Sequence, residues 1–517
     1  MIFLQKLQSV QDNSKKEEGS VTVFLALVLV LILSFLLSML ELARVNGLQT
    51  MANRKLQLEM ESIFGGYNKE LWEHYGLLFL DISNGNGEAD LRLLESRIME
   101  EAYQENRQSN VYRLALKDVE IASFIMATDQ NGVEFKRQAC RIAKQQLAKE
   151  GIDALKEQVD VWKNVENETG DLEQTWKEAL EAQENADNAE NTEKSKDTEN
   201  ESETGNRQEI PKESEMLQES EEVLPENPIH YITELKSSPL LAIVLGETSQ
   251  LSGKGMDMVD SLDNRTLFCG NMTADTKDSV DKLWLVQYLN HCFSCKTKGS
   301  EQEHVLDYEL EYCIAGKDTD KENLEEVVKR LLFLRQSANF VAIMKDSQKK
   351  ELALKIATGA VGFTGSASLI RTAQMGVLIA WCYGESILDV RCLLRGEKVP
   401  LIKDSTQWKC NLFQLSESIS GENQEKQEVG MSYQEYLQIL LYMTEENQLT
   451  MRALNVIEKN IRLFSGNDRL CMDAMISGIK VNAVYSGKPL FFSVIPVGKK
   501  IKGDYYFYAS ETFMYEE

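Results

Sequence analysis

Residues 21–40 read VTVFLALVLVLILSFLLSML. The stretch carries no charge, and its only polar side chains are Thr22, Ser34 and Ser38. Their hydroxyls can bond back to a helix backbone. At the helical rise of about 1.5 Å per residue, such a length covers the roughly 30 Å hydrocarbon core of a bilayer. The composition therefore predicts one membrane-spanning helix over 21–40. A cleaved signal peptide has a shorter apolar region and small residues at its cleavage site. Here the run closes on Met39-Leu40-Glu41-Leu42, which suits an uncleaved anchor.

Residues 1–20 form a short tail with Lys6, Lys15 and Lys16, while Arg44, Arg54 and Lys55 follow the span. Positive charge favours the inner side of a membrane. The two flanks nearly balance, and the closeness of Lys15-Lys16 to the span tips the expectation. The N-terminus is expected inside the cell and everything beyond Glu41 outside. After the span, Leu48, Met51, Leu56, Leu58 and Ile63 recur at roughly helical spacing with no proline at the join. The helix is predicted to continue as a stalk to about Phe64, where Gly65-Gly66 stops it.

The length of 517 residues allows two to four domains, and 43% hydrophobic content supplies a sizeable core. A formal net charge of -26 argues against nucleic-acid binding, which needs clustered Lys and Arg. The four histidines, His74, His230, His291 and His304, leave little material for His-based metal or triad chemistry. Nine cysteines form no repeated spacing and do not read as a disulfide framework.

The predicted fold class is helix-rich α+β: one N-terminal transmembrane helix with its stalk, then a mixed ectodomain interrupted by a disordered acidic linker. Residues 41–164 form the stalk and a membrane-proximal α+β region. Within it, 90–106 reads as helix, 111–126 as strand, Asn131-Gly132 as a turn and 134–162 as helix again. Residues 165–227 are rich in Glu, Asn, Ser, Thr and Lys with almost no aliphatic side chains. Such a segment buries too little apolar surface to offset chain entropy. It is predicted to be the linker, with a helical start near 172–182. Residues 228–517 form a distal α+β domain. There 305–313 alternates Leu306, Tyr308, Leu310 and Tyr312 against Asp307, Glu309 and Glu311, the pattern of a half-buried strand. Residues 321–344, 348–360, 366–394 and 433–464 read as helices, and 475–513 as strands.

The residues Gly19-Ser20-Val21-Thr22-Val23 entering the span and Glu41-Leu42-Ala43-Arg44-Val45 leaving it, with the polar helix that follows, resemble the TadE/TadG-like proteins of tight-adherence (Flp-type) pilus systems. More specifically, the chain resembles a family of Firmicutes proteins, DUF5702. That likeness is carried by Asp320-Lys321-Glu322-Asn323-Leu324 with Leu331-Leu332-Phe333-Leu334-Arg335, and by Ala380-Trp381-Cys382-Tyr383-Gly384-Glu385-Ser386 with Leu388-Asp389-Val390-Arg391. Lys398-Val399-Pro400-Leu401-Ile402-Lys403 and Met431-Ser432-Tyr433-Gln434-Glu435-Tyr436-Leu437 complete it. The resemblance implies an anchored extracytoplasmic protein and no activity. Pilins cut by prepilin peptidase carry Glu five residues after the cleavage glycine. Counting from Gly19 that position is Phe24, which argues for an uncut anchor.

Three constellations bear on chemistry. His291-Cys292-Phe293-Ser294-Cys295 holds a lone CxxC, with His304 and Cys313 as further metal-ligand candidates. A closed zinc site usually shows two clear ligand pairs. A redox pair sits at a helix start after a strand, whereas this one closes a helix. Ordinary cysteines, or one local disulfide outside the cell, are expected. Gly359-Ala360-Val361-Gly362-Phe363-Thr364-Gly365-Ser366 lacks the lysine of a phosphate loop and is expected to be a helix–helix turn. Glu385 and Asp389 share one helix face with Arg391 nearby. With no His, nucleophile or metal motif beside them, a structural ion pair is expected rather than acid/base work. The sequence thus assigns no catalytic, cofactor or metal residue. It points to a non-enzymatic membrane protein contacting the bilayer through 21–40 and pilus or secretion-system proteins through its ectodomain. The alternative is a membrane-anchored enzyme of unknown class.

Overall fold

The computed structural model describes all residues except 1, 106–111, 147–148, 200–226, 247–250, 274–281, 300–301, 422–427, 492–499, 502 and 516–517. For residues 2–20, 101–105, 149–150, 187, 189–199, 405 and 500–501 it describes the backbone alone. The chain opens with helices and strands α1 (Ile2–Phe64), α2 (Lys69–Tyr75), β1 (Leu80–Asp81), α3 (Leu91–Glu105), β2 (Ala115–Met126) and α4 (Asp129–Gln146). Next come α5 (Lys149–Thr169), α6 (Leu172–Glu199), α7 (Pro228–Ser237), α8 (Leu240–Leu245), α9 (Lys282–Cys292) and α10 (Glu309–Ala315). They are followed by α11 (Asp320–Lys345), α12 (Ser347–Val361), α13 (Ala367–Leu394), α14 (Leu415–Ser420), α15 (Tyr433–Met443) and α16 (Glu446–Ile461). The chain ends in β3 (Met475–Gly487), β4 (Lys500–Ile501) and β5 (Asp504–Met514). The protein is helix-rich with a small sheet. It divides into two compact units: Met1–Gln138 with Thr266–Ser279 and Phe464–Glu517, and Ala139–Arg265 with Val280–Leu463.

In the first unit, α1 runs without a break from the apolar stretch into the fold. Among the described residues it is the one helix long and apolar enough to cross a membrane. Every residue from 21 to 33 is exposed. From Val45 the character changes: Val45, Leu48, Ala52, Leu56, Met60 and Ile63 recur on one face and are buried. That stripe packs with Val119, Val481, Ala483, Tyr485, Tyr505 and Phe507 of the sheet in one apolar core. Gly65 and Gly66 end the helix as expected, their N–H groups bonding Glu61 O and Ile63 O at 3.0 Å. Tyr515 closes the same end by donating to Phe64 O at 2.6 Å.

The sheet is antiparallel throughout and centred on β3. Strand β2 pairs with one edge of β3 and β5 with the other, in the registers Val119↔Ala483 and Ala483↔Ala509, and the short β1 pairs with the start of β3 at Met475 and Ile476. Here the sequential division into a membrane-proximal region over 41–164 and a distal domain over 228–517 is corrected. The C-terminal strands complete the sheet that the N-terminal region starts. Side-chain alternation marks a strand but carries no information on its partner.

The second unit is helical, built around α11 and α13. Leu331, Leu332, Phe340, Trp381 and Leu388 are all buried in it. The linker expected over 165–227 is corrected at its start. Val165, Leu172, Trp176, Ala179, Ala182 and Ala186 are buried on one face of α5 and α6. A Cβ added at Gly376 of α13 would lie 2.6 Å from the Ala179 Cβ and 2.9 Å from Ile229 Cδ1, so the glycine permits the approach of α6. Lys236 lies over the Trp176 ring at 4.2 Å and the Tyr383 ring at 4.8 Å, and burial lowers its pKa to about 8. A stripe of alanines adds little to hydropathy yet fits a close helix–helix contact, which is why composition concealed it. The helix backbone continues to Glu199, and 200–226 lie outside the described residues. The strand expected over 305–313 is corrected as well. Residues 309–315 are α10, and all seven are buried, Glu309 and Glu311 among them. Of the acids that imitated a solvent face, Asp307 is exposed, whereas Glu309 and Glu311 are buried.

Ala179→Leu is expected to overpack the α6–α13 contact and cost about 1–3 kcal/mol. Glu181→Leu on the exposed face is expected to stay within about 0.5 kcal/mol of the parent. Urea unfolding of the full chain in detergent, followed by tryptophan fluorescence, measures both, since Trp162, Trp176, Trp284, Trp381 and Trp408 lie in the second unit. Equal midpoints for the two variants would return α6 to a solvated linker.

Candidate functional site

Glu385 and Asp389 of α13 do share a face, and they meet two cations from elsewhere in the second unit. Lys403 Nζ contacts both Glu385 Oε1 and Asp389 Oδ1. Arg335 of α11 pairs with Asp389 Oδ2 at 2.9 Å. Glu385, Arg335 and Asp389 are at most 1% exposed, and Lys403 is 3% exposed. Two positive and two negative charges thus balance in the interior.

The remaining bonding capacity is also used. Arg335 donates to Asp389 Oδ2 (3.0 Å), Pro400 O (3.0 Å), Leu401 O (2.7 Å), Tyr436 Oη (2.9 Å) and Asn339 Oδ1 (3.0 Å). A guanidinium offers five N–H donors in a fixed fork, so this environment matches it. Glu385 accepts from the backbone N–H of Lys409 at 3.0 Å and of Cys410 at 2.7 Å. Asn339 Nδ2 donates to Ser386 Oγ and Asp389 Oδ2, both at 3.1 Å. Burial raises the Asp389 pKa, but Arg335 and Lys403 outweigh it and hold the carboxyl below its ordinary value. For Glu385 burial prevails over Lys403, with the Asp389 charge adding to it, and its pKa is raised.

Arg391 takes no part. Its guanidinium bonds the Ile243 and Ile419 carbonyls instead. Arg335 and Lys403 were absent from the sequence-derived candidates. Both lie in the stretches quoted for the family likeness, which was the one available signal.

A second group of buried acids surrounds α10. Glu309 accepts from Ser294 N (2.8 Å), Ser294 Oγ (2.9 Å) and Asn460 Nδ2 (2.5 Å), and His304 Nδ1 lies 2.8 Å from it. Glu311 Oε1 accepts from Lys296 N at 2.9 Å and Tyr433 Oη at 2.8 Å. Burial pushes the Glu311 carboxyl up to about 7. The CxxC segment lies beside it: α9 ends at Cys292, and Cys295 and Lys298 exchange backbone hydrogen bonds at 2.9 Å. Lys298 Nζ closes the helix by bonding Asn290 O and His291 O at 2.9 and 2.8 Å. Burial pushes both Cys292 and Cys295 up to about 11, which keeps them as thiols. Both are free, as is Cys313. Among the described residues, Cys292, Cys295, His304 and Cys313 do not bring three donor atoms within 4.8 Å of one another. The glycine-rich segment is a helix–helix turn, with Gly365 at φ 68° and Ser366 capping α13.

In the first unit, the motif leaving the apolar stretch forms a clamp. Arg44 Nη2 lies 2.9 Å from Glu41 Oε1 and donates to Lys488 O at 2.6 Å. Glu41 accepts from the backbone N–H groups of Leu490 (3.4 Å) and Phe491 (3.1 Å). Burial raises the Glu41 pKa, but Arg44 and the two N–H groups outweigh it and hold the carboxyl below its ordinary value. An open cleft of about 340 Å³ between α1 and β5 is lined by Gln57, Met60, Glu61 and Glu511–Met514. It gathers two carboxylates and a hydroxyl, with no histidine or cysteine in its lining.

Fold and sites define a helix-rich α+β protein with one long apolar N-terminal helix and its charged clusters sealed in the core. The chain belongs to the family described as "Family of unknown function (DUF5702)", whose model matches residues 218–487. No curated protein and no solved structure matches the chain.

Lys403→Met leaves two buried carboxylates with one cation and is expected to cost about 3–5 kcal/mol near neutral pH. Adding Glu385→Gln is expected to recover part of that loss. Urea midpoints of the parent, both single variants and the double variant measure the coupling. Additive losses would mean the pair is not energetically linked.

Glu311 supplies a pH signature. Its folded pKa of about 7 lies above the ordinary 4.5, so its contribution is fully present below 4.5 and is lost as pH rises to about 7. Relative to Glu311→Gln, the parent is expected to lose roughly 3 kcal/mol across that range. Parallel pH dependences for the two proteins would rule out a raised Glu311.

Proposed function

We propose that this protein is a single-pass membrane protein whose role is positional rather than catalytic. Residues 21–40 anchor it in the cell membrane with the N-terminus inside. The two folded units lie outside, where they engage proteins of a Tad/Flp-type pilus or secretion assembly. The observation that carries the reading is the two-part character of α1: exposed and apolar through residue 33, then buried against a sheet from Val45. A helix bare of protein over 13 consecutive apolar-stretch residues is costly in water and favourable in lipid. The unbroken backbone then sets the height of the first unit above the bilayer. The saturated cluster around Arg335 and Asp389 supports a structural use of its charges, since every guanidinium donor is engaged inside the fold. The pilus assignment rests on the TadE/TadG-like residues at the two ends of the span.

Topology can be tested on the chain as it stands. Cys269 is the one exposed cysteine of the nine. A membrane-impermeant maleimide applied to intact cells is expected to label Cys269 and not Cys269→Ser. In the Cys269→Ser background, Ser9→Cys is expected to be labelled only after lysis. Labelling of Ser9→Cys in intact cells with protection of Cys269 would reverse the orientation. Release of the chain by alkaline carbonate would remove the anchor. Crosslinking in the same cells is expected to capture pilus or secretion proteins; loss of a cellular function in a stably folded Glu385→Gln would favour the enzyme reading instead.

A further inference from the structure

We propose that the outer edge of β5, from Ser510 to Met514, is a strand-addition site for an extended, basic segment of a partner protein. The inference deepens the positional reading by naming a surface of the first unit for partner contact. It rests on that reading only for there being a partner.

The first observation is a difference between the two edges of the sheet. Along β2, backbone groups that do not bond β3 are sealed by side chains. Glu95 Oε1 accepts from Ile121 N at 3.1 Å, Asn271 Oδ1 from Phe124 N at 3.0 Å and Asp129 Oδ2 from Met126 N at 2.7 Å. The N–H groups of Asn271 and Met272 bond Phe124 O in return. Along β5 the pattern is set by Tyr515, whose N–H donates to Ser477 O of β3 at 3.1 Å. Backbone groups alternate between the two sides of a strand, so Phe513 and Glu511 also face β3, while Met514, Thr512 and Ser510 face outward. Gln49 Nε2 of α1 caps the next outward carbonyl, Tyr508 O, at 2.9 Å, and β4 pairs with β5 at Asp504 and Tyr505. Among the described residues, no hydrogen bond reaches the outward N–H and C=O groups of Ser510, Thr512 and Met514. Edges are commonly blunted by lysine, proline or a bulge. Residues 506–514, YFYASETFM, contain neither lysine nor proline, and their register with β3 runs without a shift from Tyr506 to Met514.

The second observation is the space beside this edge. The cleft of about 340 Å³ has Gln57, Met60 and Glu61 of α1 on one side and Glu511–Met514 on the other, all in the first unit. Met60 and Phe513 supply its apolar lining. The Phe513 ring is held in place, 4.3 Å from the Phe64 ring and 5.8 Å from the Tyr515 ring. Glu61 Oε1 accepts from Gln57 Nε2 at 3.0 Å, and no lysine, arginine or histidine among the described residues lines the cleft.

These features select the occupant. A row of outward N–H and C=O groups is matched by an extended chain lying about 4.8 Å from β5. Alternate side chains of that chain enter the cleft. An apolar one suits Met60 and Phe513, and lysine or arginine at the flanking alternate positions suits Glu61 and Glu511. A second copy pairing β5 with β5 would gather the Glu61 and Glu511 carboxylates of both copies without a cation, which disfavours it.

The test uses the full chain in phospholipid nanodiscs and three short, amidated, fluorescent peptides. In the first, threonine alternates with lysine, valine and lysine. The second carries glutamate for lysine. The third is the first with its backbone amides N-methylated, which keeps the charges and removes the ladder donors. Anisotropy measures binding, and hydrogen exchange by mass spectrometry locates it. The lysine peptide is expected to bind and to slow exchange over Ser510–Met514 several-fold, with β2 unchanged. The N-methylated peptide is expected to bind about ten-fold more weakly. Thr512→Pro removes one outward N–H and spares the bonds to β3, as edge positions allow, and is expected to abolish the protection. Should proline loosen β3, Glu61→Gln with Glu511→Gln replaces it and is expected to weaken the lysine peptide several-fold. Equal binding of the N-methylated peptide reduces the effect to charge attraction and overturns the proposal. Equal binding of the glutamate peptide, or no binding of the lysine peptide, overturns it too. Protection of Ser510–Met514 that appears without peptide as chains per disc increase assigns the edge to a second copy and overturns it. Each of these failures leaves the anchor and its topology standing, since cysteine labelling decides those separately.

Discussion

Arg335 has no contact with water, and that constrains much of the second unit. A guanidinium cannot shed its charge at any ordinary pH, so each donor must find an acceptor inside the protein. The acceptors come from Asp389 and Asn339, from the Pro400 and Leu401 carbonyls, and from the Tyr436 hydroxyl. Satisfying one side chain therefore aligns α11, α13, the segment around 400 and α15. Lys403 enters with that segment and neutralises Glu385, which in turn orders the backbone at Lys409 and Cys410. Such a network contributes little net stability against a well-packed apolar core. Its value lies in specifying one arrangement, because a displaced helix would strand a buried charge.

In the first unit the corresponding constraint is the continuity of α1. One helix carries two different surfaces: it is exposed and apolar through residue 33, then buried on one face from Val45. The Val45-to-Ile63 stripe packs against the sheet. That sheet is assembled from both ends of the chain: β2 precedes the second unit in sequence, and β3 and β5 follow it. The Glu41–Arg44 pair stands at the changeover and ties the β3 turn to the helix there.

Much of this was legible in the residues. The apolar stretch, the end of α1 at Phe64, the α11 to α13 block and the C-terminal strands all carry local periodicity, and local periodicity needs no partner to be read. The shared face of Glu385 and Asp389 followed from their four-residue spacing. Arg335 was not legible because its acceptors Asp389, Pro400, Leu401 and Tyr436 lie 54 to 101 residues away along the chain, and Lys403 because its irregular segment has no period. The packing of α6 was hidden in alanines, whose small size matters only once Gly376 lies opposite. The helix α10 was mistaken for a strand because its acids alternate with apolar residues, and alternation normally means a wet face.

The sequence by itself determined what each segment tolerates: 21–40 cannot be stable bare in water, Gly65-Gly66 ends a helix, and the apolar stripes require cover. Tertiary structure alone decided which segment provides the cover. It paired β2 with β3 across the whole second unit, placed two cations against Glu385 and Asp389, and folded acidic α6 onto α13. The physical reason is that solvent preference and backbone propensity are properties of neighbours in sequence. Charge compensation, strand pairing and close packing depend on groups far apart in the chain, and their partners exist only once the chain has folded.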